Sequence, residues 1–399
     1  MPNPRAATPP ELDRRERIIP APLPQAPLDD AQRLACLRLI RSENIGPATF
    51  RDLVNHYGGA TEALAALPGI YARAGRRGAR ICPAAEAEAE LDLAARAGAR
   101  PLFTIEPGYP PALAAIDPPV PMLYVLGRRE LLVRPMVAIV GARNGSAAGQ
   151  KLAAMLARDL GAAGLVVASG LARGIDAAAH DAALLTGTVA VVAGGVDAVY
   201  PPENAALHAR IARDGCILSE CRPGLLPRGR DFPRRNRLIS GVSMGVVVVE
   251  AARRSGSLIT ARFAREQSRE VFCVPGHPLD PRAEGTNALI KAGEVTVVTE
   301  AADVLGMLAP MLRSGEVAAR AALAGPPPEP APPRAQAELQ LGQADREQVL
   351  AALGPAPIDL DSLARATGLS ARALQIALIE LSIAGRIERH GQQMVSLRD

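Results

Sequence analysis

The residues with the clearest chemical potential lie in one short segment, Phe232 to Gly241, with the sequence FPRRNRLISG. The segment combines an aromatic ring with three guanidinium groups and comes just before the apolar run Met244 to Glu250. This position predicts a loop at the end of a sheet strand, where doubly wound α/β folds place their ligand sites. Arginine beside an aromatic residue suits a ligand that stacks and carries phosphate. We therefore expect the ligand to be a nucleotide or a nucleic acid.

Two further turns have the composition of anion-binding sites. Gly141 to Ser146 and Ser169-Gly170 each follow an apolar strand and open a helix. The first amides of a helix are unpaired and its dipole is positive there, so we expect a phosphate at these turns. Arg143 would meet the same anion, or alternatively cap a neighbouring helix through a salt bridge. The spacing is not GxGxxG, which disfavours a dinucleotide cofactor.

Groups suited to catalysis are scarce. His180 follows Asp176 by four residues and could act with Ser169, but a core histidine on an alanine-rich helix is the favoured interpretation. There is no P-loop and no pair of carboxylates at acid/base spacing. The five Cys form neither CxxC nor a zinc spacing. We expect no catalytic residue, no metal and no cofactor.

The charge is modest overall and concentrated locally. The net charge is +4, but residues 222–269 contain eleven Arg and three acidic residues, a local balance of 11 − 3 = +8. Such a stretch is typical of a polyanion binder, although the Arg could also lie on scattered solvated helix faces. With no apolar leader and no run of eighteen apolar residues, we expect a soluble cytoplasmic protein without a membrane role.

Proline-rich segments divide the chain. Residues 325–333 (GPPPEPAPP) contain six Pro in nine positions, the composition of a stiff spacer. The N-terminus is also rich in Pro and poor in apolar residues, which predicts disorder. The expected units are a disordered tail (1–28), a helical domain (29–99), an α/β domain (100–309), a linker (310–340) and a winged-helix domain (341–399).

The helical domain shows a helix at 31–41, a turn at 44–47 with Pro at the first helical position, and a helix at 48–57. A second turn is predicted at 67–70. This order resembles a helix-hairpin-helix or SAM-like module, and a plain scaffolding bundle is the alternative.

The central domain alternates strand and helix, which predicts a doubly wound, mostly parallel sheet. Most of the strands end in Gly, Ser-Gly or an acidic residue, and right-handed crossovers gather these ends on one edge. The predicted strands are 137–140, 165–168, 188–193, 216–219, 246–249 and 271–274.

The C-terminal domain has the order of a winged helix: three helices and a hairpin around Gly391. Residues 341–399 carry seven acidic residues and six Arg, a balance of −1. Its third helix is mostly apolar, whereas a helix that enters the major groove usually carries basic side chains. We favour a protein-interaction role for this domain over DNA reading.

Several motifs together resemble the DNA-processing protein A family (DprA/Smf), densely over residues 100–300. They are Tyr109-Pro110-Pro111-Ala112-Leu113, Ile139-Val140-Gly141-Ala142-Arg143, Ser169-Gly170-Leu171-Ala172-Arg173-Gly174-Ile175-Asp176, Tyr200-Pro201, Phe232-Pro233-Arg234-Arg235-Asn236-Arg237 and Pro275-Gly276.

The resemblance implies a Rossmann-like core that binds single-stranded DNA, forms a homodimer through that core, and helps load the recombinase RecA during natural transformation. It implies a binding protein rather than an enzyme. Arg143, Arg235 and Arg237 are expected to contact phosphates, and a base is expected to stack on Phe232. The full expected DNA-binding set is Gly141, Arg143, Ser146, Ser169, Gly170, Arg230, Phe232, Arg235, Asn236, Arg237 and Lys291.

Two alternatives stay open at this point. One is a nucleotide-processing enzyme of the lysine-decarboxylase-like Rossmann group, a nucleoside-monophosphate phosphoribohydrolase, with Glu250 as its acid. That group's PGGxGTxxE run is absent, and Ser255 to Leu258 provides no acidic residue. The other is a structural adaptor that acts through the winged helix.

Overall fold

The computed structural model describes residues 27–324, 342–391 and 393–398. The predicted Pro-rich segment and nearly all of the predicted disordered tail lie outside these residues. The helices are α1 Asp30–Arg41, α2 Pro47–Tyr57, α3 Ala60–Arg73, α4 Ala84–Arg96, α5 Pro111–Ala114, α6 Ala147–Ala162, α7 Ile175–Ala183, α8 Ala205–Asp214, α9 Asp231–Gly241, α10 Gly256–Glu266, α11 Glu284–Lys291, α12 Ala301–Ala324, α13 Gln343–Ala352, α14 Leu360–Thr367 and α15 Ala371–Ile383. The strands are β1 Arg100–Phe103, β2 Met122–Gly127, β3 Met136–Val140, β4 Val166–Ser169, β5 Thr188–Val191, β6 Cys216–Ser219, β7 Gly245–Val248, β8 Glu270–Cys273, β9 Thr296–Val297, β10 Ile358–Asp359, β11 Ile387–His390 and β12 Met394–Leu397.

The central sheet has the order β1-β2-β6-β5-β4-β3-β7-β8-β9. Strands β3 to β9 pair in parallel, β2 is antiparallel to β6, and β1 is antiparallel to β2. The doubly wound, mostly parallel sheet and its six predicted strands are therefore confirmed. The sequence prediction missed β1, β2 and β9, which extend the sheet at its two edges.

The chain changes direction once within this sheet. It proceeds from β3 outward through β4, β5 and β6, and then returns to β7 on the other side of β3. The gap between β3 and β7 is thus the switch point at which doubly wound folds form a ligand crevice. One face of the sheet packs on α6, α7 and α12, and the other on α9 and α10, with Val, Ile and Leu buried on both.

The N-terminal domain consists of α1 to α4. The predicted turn at 67–70 is wrong, because α3 runs through Pro68 without a break. Leu67, Ile70 and Tyr71 share one buried helix face, and their burial outweighs the hydrogen bond that Pro68 cannot donate. In the central domain, α12 continues past the expected boundary at residue 309.

The predicted winged helix is confirmed: α13 to α15 pack on a small sheet of order β10-β12-β11. No single helix in the described ranges is both long and apolar enough to cross a bilayer, although the bent pair α14 and α15 would suffice in length and composition when taken together.

Candidate nucleic-acid interface

The Arg-rich segment is helical, and its predicted loop conformation is wrong. Helix α9 begins at Asp231, so Phe232 and Pro233 lie in its first turn. Proline is tolerated there, since a first-turn N–H has no intrahelical acceptor to lose. As a consequence, successive side chains point in different directions. Arg234 is exposed, whereas Arg235 and Asn236 are buried.

Phe232 lies in a small cluster of rings and a guanidinium. Its ring centroid is 5.2 Å from that of Tyr200, with an angle of 47° between the planes. On the same ring, the Arg143 Cζ atom lies 5.4 Å from the centroid. Tyr200 is 43% exposed, Arg143 is exposed and Phe232 is half-buried. The cluster therefore offers flat surfaces to solvent, as a stacking platform does.

Sequence reasoning missed Tyr200 as a site residue. Tyr200 lies in a loop after β5, more than thirty residues before Phe232 in the sequence. The Tyr-Pro pair had been noted only as part of the family resemblance. An aromatic residue in the loop that follows a predicted strand end is the signal that could have identified it.

An open pocket of about 200 Å³ adjoins this cluster, where β4, β5 and α9 meet. Arg143, Tyr200 and Phe232 form one side of it, and Arg173 and Glu203 extend its rim. The pocket is therefore displaced from the β3/β7 switch point toward the carboxyl ends of β4 and β5.

The switch point itself is filled by a carboxylate of the chain. The Ser146 N–H donates to Glu250 Oε2 at 2.8 Å, and Ser146 Oγ donates to Glu250 Oε1. A Cβ on Gly149, in the first turn of α6, would lie 2.6 Å from the same carboxyl and would displace it. The positive end of α6 thus faces an internal anion, and Ser146 does not face an open phosphate site. Gly141 packs tightly against Ile175 at this turn.

The second turn also has an internal carboxylate. Asp176 Oδ2 accepts from the N–H groups of Gly170 at 3.1 Å and Ala172 at 3.4 Å. Ser169 is fully buried, and its Oγ donates to the Ile139 carbonyl at 2.6 Å. Burial raises the pKa of Asp176 above its ordinary value, and the charge of Arg235 partly offsets this.

Arg235 is a buried cation in the floor of the pocket. It is 8% exposed, and its Nη1 donates to the carbonyls of Gly170, at 2.6 Å, and Val191. A Cβ on Gly170 would lie 2.6 Å from that guanidinium, which explains the glycine. Burial lowers the pKa of Arg235 to about 10, against the opposing influence of Asp176. Its guanidinium binds carbonyls of the protein interior, whereas the sequence analysis expects it to contact a phosphate.

The other expected residues are separated. Asn236 donates from Nδ2 to the Gly256 carbonyl at 3.1 Å. Arg237 donates to Glu220 and, at 3.3 Å, to the Pro118 carbonyl. Arg230 is exposed just before α9, and exposed Lys291 ends α11 without lining the pocket. Of the expected set, Arg143, Phe232 and Arg235 line the pocket together with the Gly170 backbone.

His180 is a core residue, as favoured from the sequence. It is fully buried, and its Nδ1 lies 2.7 Å from Thr188 Oγ1, which itself donates to the Val167 carbonyl at 2.9 Å. His180 Nδ1–H is thus the donor to Thr188. Burial, with a smaller contribution from the Arg235 charge, lowers the pKa of His180 to about 3.

This buried histidine should make stability depend on pH. In the unfolded chain His180 takes up a proton near pH 6.5, whereas in the folded protein it stays neutral down to about pH 3. Stability is therefore lost as pH falls below about 6.5. Between pH 7 and 5.5, the free energy of unfolding, measured with urea, should fall by about 1 kcal/mol more in the wild type than in His180→Gln. Equal losses in both proteins would show that His180 does not titrate in this way.

Within the described ranges, no group of three His, Cys, Asp or Glu side chains is arranged to hold a metal ion. The site therefore consists of an arginine, two aromatic rings and a buried cationic floor, beside two turns whose amides already bind carboxylates of the chain.

Comparison with known proteins covers each domain. Residues 100–309 match the family model described as DNA recombination-mediator protein A, residues 30–100 a DprA-like N-terminal HHH domain, and residues 326–393 a DprA winged helix domain. DNA processing protein DprA of Streptococcus pneumoniae is 45% identical over 209 residues, covering 51% of this chain and 73% of that protein. Protein Smf of Escherichia coli is 38% identical over 200 residues, covering 49% and 53%.

The solved structures agree. The X-ray structure of S. pneumoniae DprA is 31% identical and covers 70% of this chain and 98% of that chain, with a TM-score of 0.58. Together, the three matched domains and these relatives assign the protein: it belongs to the DprA/Smf family of DNA-processing proteins.

Proposed function

We propose that this protein binds single-stranded DNA at the pocket formed by Arg143, Tyr200 and Phe232. The observation that carries the proposal is the cluster itself, in which the exposed Arg143 guanidinium and Tyr200 ring lie against the half-buried Phe232 ring, and all three line a pocket. A base can stack on an aromatic face only when it is not already paired and stacked within a duplex. Partly exposed rings beside an exposed guanidinium thus suit an unpaired strand.

The surroundings fit a strand longer than one nucleotide. Exposed arginines lie beside the pocket: Arg173 lines it and pairs with Glu203 at 3.5 Å, and Arg228 and Arg230 come just before α9. A polyanion follows such a path through phosphate contacts that do not depend on base sequence. Of the local excess of arginine noted in the sequence, Arg235 lines the pocket, and Arg228 and Arg230 lie between the lining residues Pro227 and Phe232.

A binding role is favoured over the enzymatic alternative. Glu250, the acid that a phosphoribohydrolase would need, accepts two hydrogen bonds from Ser146 at the start of α6. Both Gly-rich turns that could hold a mononucleotide phosphate already neutralise a carboxylate of the chain. Incubation with nucleoside monophosphates should therefore release no free base.

The proposal extends to recombination. The matched family is described as a recombination mediator, which supports a role in delivering the bound strand to a RecA-type recombinase during transformation. In this proposal the protein acts as a homodimer through its Rossmann-like domain. The rate at which recombinase assembles on a single strand, measured with and without the protein, tests this extension.

The electrostatic test uses salt titration. Arg143→Ala should reduce the slope of log affinity for single-stranded DNA against log salt by about 0.7, because one phosphate contact is lost. Arg262→Ala is a matched control, since Arg262 is also an exposed guanidinium over a phenylalanine, 5.3 Å from the Phe263 centroid. Arg262→Ala should leave the slope unchanged. Equal slopes for wild type and Arg143→Ala would show that Arg143 does not contact a phosphate of the bound strand.

A further inference from the structure

Helix α15, the third helix of the winged domain, is buried on two sides. Leu374, Leu378 and Leu381 belong to the core of its own domain. Ile379 and Ile383, four residues apart on another face, are 3% and 0% exposed and belong to the apolar cluster of the N-terminal domain. Accordingly, α15 contacts both α2 and α3. This explains why the helix is apolar nearly all round.

A buried carboxylate between these two isoleucines crosses the boundary. Glu380 is 1% exposed, and its Oε1 accepts from Arg73 Nε of α3 at 2.6 Å. Its Oε2 accepts from Arg346 of α13, in its own domain. A buried carboxylate requires such partners, because desolvation without them is costly. Glu380 therefore joins the N-terminal and C-terminal domains at the centre of their contact.

A second ion pair crosses the same boundary at a different place. Arg389 of β11 donates to Asp52 of α2, and the two side chains are only 12% and 11% exposed. The contact thus combines an apolar centre with two largely buried ion pairs. This is the composition of a specific interface and not of an incidental contact between exposed charges.

We propose that α15 is an intramolecular docking helix whose partner is the α2/α3 surface of the chain's own N-terminal domain. In winged-helix proteins that read DNA, the third helix enters the major groove. Here the face of α15 that is turned away from its own core is covered by α2 and α3, so it is unavailable to a groove while docked. The winged domain then holds the N-terminal and C-terminal domains together. This role is separate from strand binding at the Phe232 pocket.

A charge exchange across the interface tests the proposal in the full-length protein. Arg389→Glu places two acids together, and amide hydrogen exchange in α2 and α15 should accelerate by about tenfold or more. Combining Arg389→Glu with Asp52→Arg reverses the pair, and exchange should return to within about threefold of the wild type. Arg386→Glu makes the same charge change at an exposed position of the same domain and serves as the control.

Two results would overturn the docking assignment. One is α2 protection in Arg389→Glu equal to that in wild type. The other is a double variant, Arg389→Glu with Asp52→Arg, in which α2 is as unprotected as in Arg389→Glu alone. That result would indicate that Arg389→Glu causes a folding defect, which a change in the other domain does not repair. Exchange in α14, which lies outside the contact, should stay unchanged in every variant.

Discussion

Arg235→Ala is expected to destabilise the central domain by about 3–5 kcal/mol, because two buried carbonyls lose their hydrogen-bond donor. Its guanidinium holds the Gly170 and Val191 carbonyls and offsets the charge of buried Asp176. Without it, two carbonyls lose their donor, and the buried Asp176 carboxyl loses a nearby positive charge. For a domain of this size the melting temperature should fall by about 10 °C, as measured by calorimetry.

The charge balance supplies the control for this result. Adding Asp176→Asn to Arg235→Ala removes the uncompensated carboxylate and should recover part of the loss. Arg234→Ala, at a neighbouring residue that is 72% exposed, should change the melting temperature little. An unchanged melting temperature in Arg235→Ala, with a salt slope reduced by about 0.7, would instead indicate a surface contact with phosphate.

Phe232→Ala is expected to weaken single-strand binding by about 1–3 kcal/mol, the usual value of one base stacked on an aromatic residue. The salt slope should not change, because no charge is removed. Phe232→Tyr should retain most of the affinity, since the ring that contacts Arg143 and Tyr200 is preserved. Affinity and melting temperature should be measured on the same sample.

A second arginine–phenylalanine pair of the chain provides a control for this prediction. Phe263 is also half-buried and also lies beneath an arginine, Arg262, but on α10 and outside the pocket. Phe263→Ala should therefore leave strand affinity unchanged. If both Phe→Ala variants lose binding only in proportion to their loss of folded protein, Phe232 acts in packing and not in stacking.

The fold could be predicted from the sequence because its signals are local. Apolar runs that end near Gly, Ser-Gly or an acidic residue identify β3 to β8, and their alternation with helices determines a parallel sheet. Strands β1 and β2 escaped prediction because an antiparallel edge follows no such alternation. The helix at Phe232 was missed for a different reason: Phe-Pro favours extended backbone in general, but a first helical turn also accepts proline.

The site could be predicted only in part, since its arrangement depends on partners that are distant in sequence. Arg143 and Phe232 were both expected there, but the sequence does not show that they touch, nor that Tyr200 joins them. Burial of Arg235 and the pairing of Arg237 with Glu220 depend on how α9 lies against the strand ends. The number of arginines in the sequence gives the local charge, but only the packing of the folded chain determines which of these arginines can contact a ligand.

The Glu250 carboxylate at the start of α6 has a consequence for selectivity in the cell. Free nucleotides are abundant there, and a vacant helix N-terminus at the switch point would be occupied by them much of the time. Because the start of α6 already binds the Glu250 carboxylate, we expect ATP or AMP to compete poorly with a DNA strand. The affinity of the protein for DNA would then not depend on the concentrations of free nucleotides in the cell.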